Sequence, residues 1–115
     1  MSYDVSVYRE STIFDMEQED NLVEVNSANI TFNVAPMFRK AFKHEHGLYV
    51  LDGLDLDSAL KEVFAAIKNM INERKEYEKL NPLNGWGSYE GTLLFLFQLC
   101  LNFTEVENGV VFVIH

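Results

Sequence analysis

Cysteine is nearly absent from this 115-residue chain. Cys100 stands alone, so no internal disulfide forms and a disulfide scaffold is excluded. Its apolar neighbours predict a buried, inert thiol. Proline occurs twice, at Pro36 and Pro82, and tryptophan once, at Trp86. Long apolar runs are also missing. The longest candidate, residues 93–101, is about half the ~20 residues that a transmembrane helix needs, which argues against a membrane partner. The start, Met1-Ser2-Tyr3-Asp4, lacks the basic stretch followed by an apolar core that marks a signal peptide, so a cytoplasmic protein is expected. Basic residues are scarce, nine against 18 acidic, for a net charge of −9. That balance disfavours direct binding to nucleic acid, which rests on neutralising phosphates.

Motifs that carry chemistry are equally few. HExxH and CxxC do not occur, and His44-Glu45-His46 offers two histidines and one carboxylate where zinc takes three or four spaced ligands. Neither a GxSxG elbow nor a P-loop lysine is present. The expectation is a protein with no catalytic residues, no metal and no cofactor.

What is present describes a folded domain. Apolar residues make up 48% and aromatics 13%, enough for one modest core in a single domain spanning 1–115. Tyr3 to Tyr8 alternates and reads as a strand with one buried face. Leu22 to Val25 reads as a short second strand, and Ser27 to Phe32 as a third strand or an extended lead-in. Pro36 suits the first turn of a short helix that Gly47 ends. A long helix follows Asp55 or Asp57, with Leu56, Leu60, Val63, Phe64, Ile67, Met70 and Ile71 at helical spacing. Its charged tail, Glu73 to Lys79, reads as solvated. Ser88 caps a second long helix, and Thr92 to Phe103 is apolar nearly all round, which predicts burial on most sides. Phe38 and Phe42, beside the basic residues Arg39, Lys40 and Lys43, read as core. Val110 to Ile114 closes the chain as a continuous apolar strand inside a sheet, paired with the N-terminal one. The fold class is α+β: a small antiparallel sheet, two long helices and one short helix. It divides into an acidic region 1–26, a helical core 36–103 and a terminal strand 110–114.

Two regions are candidates for a site. Residues 1–24 carry seven acids and one base, and Asp15, Glu17, Glu19, Asp20 and Glu24 form an acidic surface suited to a basic partner. The loop 81–91 gathers the only tryptophan, one proline and three of the six glycines. There Ser88, Tyr89 and Glu90 open a helix whose free N–H groups suit an anion, and Trp86 and Tyr89 suit a planar ligand. Gly85 and Gly87 let the loop turn. The plainer expectation for the loop is that Trp86 packs onto the core.

Two blocks carry a resemblance: Asn29-Ile30-Thr31-Phe32-Asn33-Val34-Ala35-Pro36-Met37-Phe38, and Asn81-Pro82-Leu83-Asn84-Gly85-Trp86-Gly87-Ser88-Tyr89-Glu90-Gly91. Together they resemble a group of small, uncharacterised bacteriophage and prophage proteins, in which the first block precedes a helix and the second opens a later one. The resemblance covers residues 27 to 103. It implies a phage-encoded protein acting in the cytoplasm of a bacterial host, and it carries over no catalytic role. The functional expectation is a non-enzymatic protein that binds a host or phage protein, in one version an anti-CRISPR-like inhibitor of bacterial defence whose target has a basic nucleic-acid-binding surface. The alternatives are a small-ligand or nucleotide pocket at Gly85, Trp86, Gly87, Ser88, Tyr89 and Glu90, and an accessory protein of phage assembly.

Overall fold

A computed structural model describes residues 1–11 and 22–115. Strand β1 (Ser2–Glu10) lies at the centre of a three-stranded antiparallel sheet, between β2 (Leu22–Thr31) and β3 (Val110–Ile114). The alternation of β1 sends Tyr3, Val5 and Val7 into the core. Their cross-strand neighbours Ile30 and Ala28 on β2, and Val113 and Val111 on β3, complete the inner face. The outer face is polar along β1 and β2, where the Asn29 amide donates to Asp4 and to Ser2.

The two segments read separately as 22–25 and 27–32 are one strand. The reason they look interrupted is a register shift: Tyr8 pairs with Glu24 but Val7 pairs with Asn26, leaving Val25 as an extra residue. Polar Asn26 breaks the apolar alternation because its side chain crosses to the end of the second long helix. There its amide donates to the Asn102 carbonyl at 3.0 Å and to Glu105 at 3.1 Å.

Helix α1 (Ala35–Ala41) starts with Pro36 in its first turn. It ends before Gly47: Lys43 takes the left-handed conformation, φ 53°, and Gly47 opens a short 3-10 segment, Gly47–Leu51, that buries Leu48 and Leu51. Helix α2 (Leu56–Asn72) is capped by Asp55, whose carboxylate accepts from the Ser58 N–H at 2.7 Å. The Ser58 hydroxyl first, and then that N–H, hold the Asp55 carboxyl below its ordinary range. The charged tail is not simply solvated. The chain turns at Glu73 into α3 (Arg74–Glu78), which buries Tyr77 beneath Lys40.

Helix α4 (Tyr89–Thr104) returns beside α2. The Tyr89 hydroxyl donates to the Met70 carbonyl at 2.9 Å, so the start of α4 meets the end of α2 and the two run antiparallel. Three sequence expectations differ from the structure. Phe64 and Ile71 of α2 are exposed, because helical spacing places them on the flank of the buried stripe. In α4 a nearly all-apolar surface still leaves one side bare, with Leu94, Phe97 and Leu101 in solvent beside Gln98. The sheet and α2 cover the side bearing Thr92, Leu96, Leu99 and Phe103, and Phe38 of α1 meets Phe95. Strand β3 is likewise an edge and not an interior strand, despite its apolar sequence.

The core gathers Phe38 and Phe42 as expected, and the Phe38 ring meets Tyr3 on one side and Phe95 on another. No helix among the described residues is long and apolar enough to cross a membrane.

Candidate functional site

The loop between α3 and α4 is built from local hydrogen bonds. The Asn84 carboxamide oxygen accepts from the Trp86 N–H at 2.9 Å, closing a side-chain turn. The Asn81 oxygen accepts from the Tyr89 N–H at 2.7 Å, spanning the whole loop. Ser88 caps α4, accepting from the Gly91 N–H at 3.0 Å, as the sequence predicts. Gly85 and Gly87 have φ of 78° and 104°, where other residues are strained.

The loop is also fastened to the first resemblance block. A Cβ on Gly87 would lie 2.7 Å from Val34 Cγ1 and 3.1 Å from Thr31 Cγ2. Residues 29–38 and 81–91 thus touch in space, at the point where β2 passes into α1. Thr31 holds that junction by accepting from the Asn33 N–H.

On this pinned backbone the side chains divide sharply. Tyr89 is buried, with Arg74 over its ring at 5.2 Å, and burial raises its phenol above the usual range while Arg74 partly opposes the shift. Arg74 also binds Glu90 and Glu78, each at 3.1 Å. Trp86, expected in the core, is 70% exposed, and Leu83 is fully exposed. The Asn84 turn and the positive φ of Gly85 and Gly87 fix the backbone on both sides of Trp86, and its ring stands in solvent. Of Trp86 and Tyr89 only Trp86 offers its ring to solvent. Glu90, in the first turn of α4, is tied to Arg74.

The other sequence-derived candidates lie apart. Asp15, Glu17, Glu19 and Asp20 fall outside the described residues, and Glu24 is exposed on β2 opposite Tyr8. The His44 and His46 rings lie 5.0 Å apart, tilted to each other, and the His46 backbone N–H donates to His44 Nδ1 at 3.0 Å. They line a shallow cleft of about 560 Å³ with Phe42, Tyr49 and Glu62. Among the described residues no three metal-ligating side chains converge. Cys100 is half-buried, and desolvation raises its thiol above the ordinary value. Sequence reasoning missed Leu83, and nothing around it in the chain signals that it stands fully in water.

No protein-family model, curated protein or solved structure matches the chain.

Proposed function

We propose that this chain is a non-enzymatic, phage-encoded protein that acts by binding another protein, and that Trp86 and Leu83 are its anchor residues. The observation that carries the reading is the pairing of a 70% exposed tryptophan with a fixed backbone. Tryptophan dominates the energetics of protein interfaces when it enters a partner's pocket. A loop held in shape before binding loses little entropy on association.

The net charge of −9 supports a partner with a basic surface, because long-range attraction speeds encounter and orients it. A bacterial defence protein with a nucleic-acid-binding groove has that character, and the resemblance to phage proteins supplies the setting, a bacterial cytoplasm. In this reading Asp15, Glu17, Glu19, Asp20 and Glu24 steer the approach, and Leu83 and Trp86 close the contact.

The test is affinity capture from a bacterial host lysate with three baits: the native chain, Leu83→Ala/Trp86→Ala, and a variant with Asp15, Glu17, Glu19 and Asp20 as amides. A stoichiometric partner that the first variant loses and the second retains more weakly, with reduced salt sensitivity, is expected. Both replaced side chains of the first variant are exposed, so its melting temperature should match the native one. Equal capture by all three baits would overturn the reading.

A further inference from the structure

The outward side of α4 carries Leu94, Phe97 and Leu101, which are 68%, 43% and 61% exposed. They recur at i, i+3 and i+7 and so form one stripe. From Gly91 to Thr104 the helix has no charged residue, in a chain of net charge −9. Its neighbour α2 shows the ordinary treatment of a wet face, with Lys61, Glu62 and Lys68 exposed. On α2, Phe64 and Ile71 are also half exposed, at 50% and 53%.

Area indicates what such a face needs. The three α4 side chains present roughly 350 Å² of apolar surface, and with Phe64 and Ile71 the figure is roughly 550 Å². A stable interface buries about 800 Å² per partner, and homodimer interfaces are about 65% apolar. The patch therefore supplies about the apolar share of one standard interface, while it sits near the upper limit for a solitary soluble domain.

We infer that this face is a self-association surface whose occupant is a second copy of this chain, with the two α4 helices antiparallel across a two-fold axis beside Phe97 and Gln98. The stripe is nearly palindromic about that point. Leu94 of each copy meets Leu101 of the other, and Phe97 covers Gln98 of the other. The same symmetry brings Glu90 alongside Glu105 of the second copy. Arg74, 3.1 Å from Glu90 in the same chain, offsets part of that like-charge approach. An isologous contact of this kind closes at two copies. Apolar burial drives it and the acidic remainder of each chain opposes it, so salt strengthens the dimer by screening the repulsion.

Sedimentation equilibrium of the full chain over about 1 to 100 µM tests this, a range that brackets a micromolar dissociation constant. The expected mass is twice 13.3 kDa, with tighter association at high salt. Leu94→Glu and Leu101→Lys, each alone, should give monomers with an unchanged far-ultraviolet spectrum. An equimolar mixture should return to the dimer mass, because the two new charges face each other across the axis. Should either charged variant unfold, Leu94→Gln and Leu101→Gln replace them, with a dissociation constant raised at least about tenfold. A native chain of 13.3 kDa throughout, single variants that stay dimeric, or a mixture that stays monomeric would each overturn the proposal.

Discussion

Gly87 and Val34 approach so closely that a single methyl group on the glycine would stand 2.7 Å from Val34 Cγ1. The contact joins the Trp86 loop to the start of the helical region, and it sets how much freedom the loop has. Gly87→Ala should cost about 2 kcal/mol or more, from steric overlap added to the strain of a positive φ. Gly85→Ala provides the control. Its φ is also positive, but nothing lies within 4 Å of the added Cβ, so the loss should be about 1 kcal/mol. Urea denaturation of both variants gives the difference directly.

The start of α4 depends on two hydrogen bonds that can be removed singly. Ser88→Ala deletes the N-cap and should lower stability by about 1 kcal/mol. Tyr89→Phe leaves the Met70 carbonyl without its partner in a buried site and should cost about 1 to 2 kcal/mol. Thermal melting of the two single variants and the double variant would show whether the bonds act independently.

Alkaline pH should weaken the fold through Tyr77. Burial, reinforced by the nearby Glu73 and Tyr89, pushes its phenol from 10.0 up to about 12. The native state therefore keeps a proton that the unfolded chain gives up between those values. The stabilisation is complete below pH 10 and is lost as pH rises towards about 12. Denaturant midpoints measured across that window should fall, and the fall should be shallower in Tyr77→Phe. An identical slope in the variant would exclude this tyrosine as the source.

Cys100 should react sluggishly. Desolvation raises its thiol, and the side chain is half-buried against α4's neighbours. Labelling with an aromatic disulfide near pH 8 should run roughly tenfold slower in the native protein than in urea. A rate equal to that of the denatured chain would show an accessible thiolate.

Much of the fold was legible in the chain because its signals are local. Ser88 before Gly91, Asp55 before Ser58 and Pro36 at a first turn mark helix starts whose hydrogen bonds close within three residues. The illegible parts depend on what the rest of the molecule covers. Phe64 and Phe97 are as apolar as Phe38, yet only Phe38 is enclosed, since enclosure comes from elements distant in sequence. Glu73 to Lys79 looks solvated because six of its seven residues are charged, and the one that matters is Tyr77. The site divides in the same way. The turn at Asn84 and the glycines announce a rigid loop, but composition could not tell on which side of it Trp86 stands.

The central place of β1 bears on how the chain comes to fold. Val5 has Ala28 on one side and Val113 on the other, so half of its pairing lies a hairpin away and half near the far end of the sequence. During synthesis the β1–β2 hairpin emerges first and then waits, with one edge of its middle strand open, until residues 110–114 leave the ribosome. That pair closes a loop of nearly the whole chain, which by its sequence separation slows folding. Until then that edge of β1 is open to any other extended chain.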